Sequence, residues 1–253
     1  MEFTPPNAPV VILLFLFTAF LMLAGGVVAA GLAIRGRRRP ARRVAEGLAV
    51  VLTVYLGALL THSLTSRDLL LEPGQLKYFC EVDCHLAYSV EGVRSVKTVG
   101  SGATAIQAPG SFVIVTVKTW FDPNTISPRR GAAPLRPNPR KIRLEDAAGR
   151  SYAVSKAAEL ALAGDSDPRA LLARPLRPGE SYTTELAFEL PGSATEARLL
   201  ISEDAPEASF IVSHENSFFH RKIWFRLPAP DPVNLSSPVP AARPSRLGEL
   251  ASR

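Results

Sequence analysis

Two long apolar runs separated by a block of arginines constrain this chain more than any other feature. Residues 8–34 carry no charged side chain, and residues 44–64 carry only Glu46, near their start. Because a helix needs about 20 apolar residues to cross a bilayer, each run is long enough to span one. The block between them, 35–43, reads RGRRRPARR. The pattern therefore predicts a pair of membrane-spanning helices joined by a short basic loop.

The position of the positive charges predicts the orientation of this pair. Short loops rich in arginine stay in the cytoplasm, so both ends of the hairpin are expected on the outer side of a cell membrane. A cleaved signal peptide carries its basic residues before the apolar core, whereas here they follow it. The first helix is therefore expected to be retained. The sequence predicts a two-pass protein with extracytoplasmic N- and C-termini, and the lipid bilayer as one partner.

The small residues near the end of the first run have two readings. They would let the second helix pack closely, but they are also common in membrane helices in general. These residues are Gly25, Gly26, Ala29, Ala30 and Gly31.

The chain after the hairpin divides into one domain and a tail. About 160 residues are enough to bury a core without disulfides. From Pro228 onward the sequence is rich in proline and poor in apolar residues, which is typical of disorder. The predicted segments are an extracytoplasmic N-terminus 1–7, transmembrane helices 8–34 and 44–64, a cytoplasmic loop 35–43, an extracytoplasmic β-sandwich 67–227, and a proline-rich disordered tail 228–253.

The net charge of +6 does not indicate a nucleic-acid partner. The arginine block supplies six of the 29 basic residues, and the chain after position 66 is nearly neutral. The basic balance therefore reflects membrane topology, and no nucleic acid is expected to bind.

Alternation of apolar and polar residues marks the exported region as β-structure. It is clearest over 77–91, which is predicted to be one half-buried strand with an apolar face of Tyr78, Cys80, Val82, Cys84, Leu86, Tyr88 and Val90. Residues 111–121 are predicted to form a central strand, with Val113, Val115, Val117 and Phe121 on one face.

The remaining segments complete a predicted sandwich. Residues 122–140 are expected to form a proline-rich loop, and 156–174 a short helix or two. A hairpin is predicted with Ile142 and Leu144 on one arm, Asp146 to Gly149 in the turn, and Tyr152 and Val154 on the other arm. Further strands are predicted between Pro178-Gly179 and Pro191-Gly192, with Leu186, Phe188 and Leu190 on one face, at 197–204 paired with 208–216, and at 220–227. About seven short strands predict an all-β, two-sheet antiparallel sandwich with a short helical insertion.

The order of three motifs resembles the immunoglobulin-like domains found in many uncharacterised bacterial lipoproteins and membrane-anchored proteins. These motifs are L-x-D-x-x-G-x-x-Y at Leu144–Tyr152, P-G-E-S at Pro178–Ser181, and F-x-x-P at Phe188–Pro191. The resemblance covers about residues 110–202. It implies an immunoglobulin-like fold and a place in a bacterial envelope, but it brings no catalytic residues and no function.

One group of residues suggests chemistry: Cys80, Cys84 and His85, together with His214 and His220. The cysteines are open to three interpretations. A disulfide suits an oxidising compartment. In an extended strand, however, the two Cα atoms are about 13 Å apart, beyond the roughly 7 Å that a disulfide allows. Alternatively, both cysteines are small core residues on the apolar face.

The third interpretation is a metal site, because thiolate and imidazole ligands suit copper. The spacing resembles the cysteine loop of the binuclear copper site in cytochrome oxidase subunit two. The further histidine and methionine of that loop are absent from 86–93. Haem attachment through C-x3-C-H is a weaker form of the same idea. On an extended strand, His85 would also point away from both cysteines.

No motif predicts an enzyme. The chain has no G-x-S-x-G elbow, no H-E-x-x-H and no phosphate-binding glycine loop. We therefore expect a non-enzymatic, membrane-anchored extracytoplasmic binding or accessory module without a cofactor, whose partner is another membrane or envelope protein. The alternative is a copper-binding or cytochrome oxidase assembly-type factor that uses Cys80, Cys84 and nearby histidines.

Overall fold

The computed structural model describes residues 8–79, 85–126, 129–163, 172–192 and 196–228. Within them, a pair of long helices is followed by two packed β-sheets. The predicted N-terminal segment, residues 164–171 of the predicted helical insertion, and most of the predicted tail lie outside the described residues.

Helix α1 spans Ala8–Ile34 and helix α2 spans Arg38–Thr65. Most of the predicted arginine loop 35–43 is therefore helical, since α2 begins before the apolar run does. Arginine and alanine favour helix, and Pro40 lies in the first turn, where the missing N–H breaks no intrahelical bond. The reversal itself is made around Gly36, whose φ of 72° is in the left-handed region.

Both helices are long and apolar enough to cross a membrane. The apolar windows are only 6% and 11% buried inside the protein, so neither behaves as the core helix of a soluble domain. The two helices pack against each other at Gly25, where an added Cβ would lie 2.7 Å from the Leu48 side chain. Gly26 and Gly31 face open space. Of the three glycines, only Gly25 has the close-packing role.

Nine strands and a third helix follow in the described part of the chain. The strands are β1 Leu69–Leu71, β2 Lys77–Phe79, β3 Leu86–Val99, β4 Ile106–Phe121, β5 Arg140–Glu145, β6 Ser151–Ala153, β7 Ser181–Leu190, β8 Arg198–Glu203 and β9 Ile223–Arg226. Helix α3, Lys156–Ala163, confirms the predicted helical insertion between β6 and β7.

The strands form two sheets with a shared core. One sheet has the order β1-β9-β8-β5-β6 and the other β2-β3-β4-β7. All pairs are antiparallel except β1 and β9, which are parallel. The predicted two-sheet sandwich is confirmed, but a wholly antiparallel pairing is wrong. Strand β1 follows α2, and β9 follows the loop after β8. Both strands begin at the same end of the sheet, so they run in the same direction.

Strand β4 is the central strand that the sequence predicts. It pairs with β3 on one side and β7 on the other. The predicted face of Val113, Val115, Val117 and Phe121 lies in the core between the sheets. Phe112 and Ile114 on the opposite face pack in a second cluster with Ala158 of α3. This strand is therefore buried on both faces.

The single strand predicted over 77–91 is wrong. Strands β2 and β3 pair antiparallel, with Phe79 opposite Leu86 and Lys77 opposite Tyr88. The chain therefore reverses between Phe79 and Leu86. Cys80 and Cys84 lie outside the described residues, and the three interpretations of this pair stay predictions.

The predicted β5–β6 hairpin is confirmed, and it explains the L-x-D-x-x-G-x-x-Y motif. Asp146 accepts hydrogen bonds from the backbone N–H of Ala148 and Arg150 at 3.0 and 2.9 Å, and from the Tyr152 hydroxyl at 2.9 Å. Gly149 has a φ of 77°, and Leu144 is fully buried in the core. Asp146, Gly149 and Tyr152 therefore stabilise the turn, and Leu144 packs its strand into the core.

Candidate functional site at the junction of the sandwich and the helices

The segment between β8 and β9, residues 204–222, is named here the junction loop. The sequence predicts a strand over 208–216, and this is wrong. The loop contains a 3-10 turn at Pro206–Phe210 followed by further turns. Its apolar residues serve a different contact: Val212 is buried against Tyr55 and Leu59 of α2 rather than in a sheet.

Three polar contacts at successive positions along the axis of α2 join the junction loop to this helix and its end. The Tyr55 hydroxyl donates to the Phe210 carbonyl at 2.6 Å. Ser213 Oγ lies 3.1 Å from His62 Nδ1. The Arg221 backbone N–H donates to Ser66 Oγ at 2.9 Å, just after the helix ends. The loop therefore runs beside α2 from Tyr55 to Ser66, a rise of about 16 Å.

A buried ion pair holds the sandwich side of the junction loop. Lys77 Nζ lies 2.8 Å from Glu215 Oε2 and donates to the carbonyls of Ile201 at 2.6 Å and Ile223 at 3.2 Å. Burial lowers the pKa of Lys77, while the charge of Glu215 acts to raise it. Lys77 belongs to β2, and its carbonyl partners belong to β8 and β9. One ammonium group therefore ties both sheets and the loop together.

A second set of charged groups continues from β5 into the loop. Arg140 lies over the Phe79 ring at 4.3 Å from its centroid, with Nη1 4.0 Å from Glu203 Oε1. His214 Nε2 lies 3.3 Å from the other Glu203 oxygen. Burial acts to raise the pKa of Glu203, but His214 and the nearby Arg140 and Lys77 cations hold that pKa below its ordinary value.

The tautomer of His214 follows from its second contact. The Asn216 backbone N–H donates to His214 Nδ1 at 3.0 Å, so Nδ1 carries no proton in this arrangement. The proton of a neutral imidazole then lies on Nε2, facing Glu203. Through its two ring nitrogens, His214 thus joins the turn at 214–216 of the junction loop to Glu203.

A small cavity opens beside these groups. Its volume is about 250 Å³, below the roughly 300 Å³ at which ligand pockets begin. The cavity is lined by Asn138, Pro139, Arg140, Glu203, Asp204, Ala205 and Glu207. Because it is small, it suits a few water molecules better than an organic ligand.

The structure gives the three histidines of the predicted metal site separate partners. His85 is buried, with Nδ1 2.6 Å from Thr125 Oγ1, and its ring stacks on Phe121. His214 binds Glu203, as described above. His220 precedes β9 instead of lying on it; its Nδ1 is 2.6 Å from the Arg221 carbonyl, and burial lowers its pKa.

Among the described residues, no group of three or more His, Cys, Asp and Glu side chains is arranged to hold a metal ion. The copper and haem interpretations depend on Cys80 and Cys84, which lie outside this part of the chain. They therefore stay predictions.

The hydrogen bond between Ser213 and His62 has the partners of a nucleophile and its base. Ser213 has a left-handed φ of 62° and is exposed. In the part of the chain that the structure describes, the other ring nitrogen of His62 has no acidic partner. The orienting third group of a catalytic triad is therefore missing there, and the pair serves to join the loop to α2.

Sequence reasoning missed the residues that build this junction. Tyr55 carries the signal of a hydroxyl group within an apolar run, and Lys77 that of a charge at the start of an alternating segment. Neither signal names its partner, because Phe210 and Glu215 are far away in the chain. The sequence pattern likewise assigns no role to the consecutive aromatic residues Phe218 and Phe219.

Comparison with known proteins adds only distant similarities. No family model matches the chain, and no curated protein does. The secreted protein MPT63 from Mycobacterium tuberculosis is 12% identical, with a TM-score of 0.39, over 64% of this chain and 99% of that one. An uncharacterized β-sandwich protein from Clostridium difficile is 11% identical, with a TM-score of 0.38, over 64% and 96%.

The yjhA protein from Bacillus subtilis is 16% identical, with a TM-score of 0.36, over 62% of this chain and 99% of that one. At these values the similarities carry no argument about function. They also leave the immunoglobulin-like resemblance no more specific than an all-β sandwich.

Proposed function

We propose that this chain is a two-pass membrane protein that holds a β-sandwich against the outer face of a cell membrane as a non-enzymatic binding or accessory module. The observation that carries the proposal is the attachment of the sandwich to α2. Helix α2 ends at Thr65 and β1 begins at Leu69, while the junction loop contacts the helix at Tyr55 and His62. The domain is mounted on the helix instead of hanging from a flexible linker.

The membrane part of the proposal is supported by the distribution of polar groups along the helices. Both helices expose apolar side chains around most of their circumference. The arginines cluster at the end where α1 joins α2, and the sandwich begins at the other end. Because basic residues of short loops stay in the cytoplasm, this arrangement favours an extracytoplasmic sandwich with both termini on the same side.

The rigid mounting also favours one class of partner. A domain held at a fixed height reaches only proteins that present a surface close to the same bilayer. We therefore propose another membrane or envelope protein as the partner. Binding by strand addition to β7 is disfavoured, because Ser155 and Glu159 already hydrogen-bond to Ala187 on the free edge of that strand.

Cysteine labelling in intact cells tests the topology. An impermeant maleimide should label Ala147→Cys, which lies in the exposed β5–β6 turn, without permeabilisation. The matched variant Arg37→Cys, in the turn between the helices, should be labelled only after the membrane is opened. The unsubstituted chain gives the background from Cys80 and Cys84. The reverse labelling pattern, or equal labelling of both positions in intact cells, would rule out the proposed topology.

A further inference from the structure

We infer that the junction loop is a third membrane contact, and that Phe210, Phe218 and Phe219 insert into the acyl chains of the outer leaflet beside α2. These three side chains are named the aromatic face. The inference rests on the proposed function, because it requires α2 to span the bilayer.

The contacts with α2 set the depth of the loop. A hydrocarbon core about 30 Å thick, counted from Val44 after the last arginine, ends near Ser63. Tyr55 then lies about 12 Å below the outer boundary, at about 1.5 Å per residue. Because the Tyr55 hydroxyl is bonded to the Phe210 carbonyl at 2.6 Å, Phe210 is held at this depth. With α2 across the bilayer in this register, the tip of the loop lies within the hydrocarbon core.

The aromatic face is uncovered by protein. Phe210 and Phe218 are each 47% exposed, and Phe219 is 73% exposed. The first two rings meet edge to face at 5.3 Å, so they form one apolar surface. Phe219 has a φ of 63°, a conformation that is unfavourable for a bulky residue. The fold therefore tolerates local backbone strain at Phe219, whose side chain is the most exposed of the three.

Irregular backbone at membrane depth needs partners for its polar groups within the protein, and several backbone groups of the loop have them. Backbone N–H groups at Ala208, Ile211, Ser217 and Phe218 donate to carbonyls of the same loop. The Phe210 carbonyl accepts from Tyr55, and the Ile211 carbonyl accepts from Ser217 Oγ. These backbone groups of the loop are therefore satisfied within the protein and do not depend on water.

Several charged groups of the junction loop have neighbours of their own in the sandwich. Glu207 lines the small cavity with Arg140, and Glu215 is paired with Lys77 inside the sandwich. Arg221 is exposed but level with Ser66, beyond the boundary estimated above. At that level a guanidinium meets lipid headgroups instead of acyl chains. The arrangement is that of an interfacial element, with apolar side chains inward and charge at the surface.

Fluorescence quenching by brominated lipids tests the inference on the full chain. Phe219→Trp is compared with Ala147→Trp after reconstitution into phosphatidylcholine vesicles whose acyl chains carry bromine. Ala147 lies in the turn at the far end of β5, whereas Arg140 at the near end pairs with Glu203 beside the loop. The unsubstituted chain supplies the signal of its two native tryptophans.

We expect bromine to reduce the added emission of Phe219→Trp severalfold and that of Ala147→Trp hardly at all, with aqueous acrylamide giving the opposite order. If the protein resists alkaline carbonate extraction but acrylamide quenches Phe219→Trp, the loop is in water; the inference is then wrong and the membrane anchor stands. Shielding from both quenchers would mean that protein covers the face, which also overturns the inference. Release of the protein by carbonate would overturn the proposed function itself.

Discussion

Glu159 is a buried carboxyl group whose titration should limit the stability of the sandwich. Its side chain is 1% exposed and accepts the backbone N–H of Ala187 at 2.6 Å. The Ser155 backbone N–H donates to the Ala187 carbonyl at 2.8 Å. Ser155 and Glu159 therefore occupy the hydrogen-bonding positions at the free edge of β7. Burial raises the pKa of Glu159 to about 7; the nearby charge of Glu185 acts in the same direction, and the Ala187 N–H acts against it.

The raised pKa sets both the sign and the size of the effect. Between an ordinary value of 4.5 and about 7, the folded protein holds a proton that the unfolded chain has lost. The stabilisation is therefore fully present below pH 4.5 and is lost as the pH rises through 7. The difference corresponds to about 3 kcal/mol. Glu159→Gln keeps an acceptor oxygen for Ala187 but has no proton to lose.

We expect Glu159→Gln to match the unsubstituted protein near pH 5 and to be more stable by up to about 3 kcal/mol at pH 8. Tryptophan fluorescence in urea measures this on the full chain, because Trp120 and Trp224 both lie in the sandwich. The control is Glu189→Gln, an exposed carboxyl group on the same strand, which should show a much smaller change. Equal stability differences at pH 5 and pH 8 would refute the reasoning.

Two further predictions follow from single contacts, and a third tests the alternative metal site. An alanine Cβ at Gly110 would lie 1.9 Å from the Leu190 carbonyl oxygen, so Gly110→Ala should lower the free energy of unfolding by about 3 kcal/mol, measured in urea. Lys77→Met should cost about 3–5 kcal/mol by leaving Glu215 buried without its partner, and adding Glu215→Gln should restore part of the loss. Metal analysis of the purified chain should find no copper, whereas stoichiometric copper lost on Cys84→Ser would establish the alternative metal site.

The parts of the fold that the sequence predicts well are those with one physical solution. An uninterrupted apolar run as long as α1 has no compact way to bury itself, so a long exposed helix follows directly. Val113, Val115, Val117 and Phe121 of β4 share one face, and the stretch from Val113 to Phe121 contains no proline. Asp146 to Gly149 carry turn chemistry that the structure uses as expected.

The reversal between β2 and β3 shows why the period of a pattern is insufficient. The segment from Phe79 to Leu86 contains no glycine or proline, so no turn signal interrupts the alternation. In the sequence Tyr78 and Leu86 have the same phase, but the pairing of Phe79 with Leu86 puts Phe79, and not Tyr78, on the face of Leu86. A continuous alternation is therefore compatible with one long strand and with two shorter ones, and only the pairing distinguishes them.

The strand predicted over 208–216 is wrong for a different reason. Its apolar residues Phe210, Ile211 and Val212 resemble those of a strand, and an apolar side chain does not encode what covers it. Here the cover for Val212 is α2, a helix more than a hundred residues earlier in the chain. Pro206, which begins the 3-10 turn, was the one local sign against a strand.

The two sides of the junction loop have separable effects on the protein. The Lys77–Glu215 pair fixes the loop to the sheets, whereas Tyr55 and Val212 fix it to the helix, and the two sets share no side chain. Contacts this independent contribute nearly additively. Loss of the ion pair should therefore destabilise the sandwich while the loop keeps its place on α2. Loss of the Tyr55 hydroxyl should loosen the mounting while the sandwich keeps its stability.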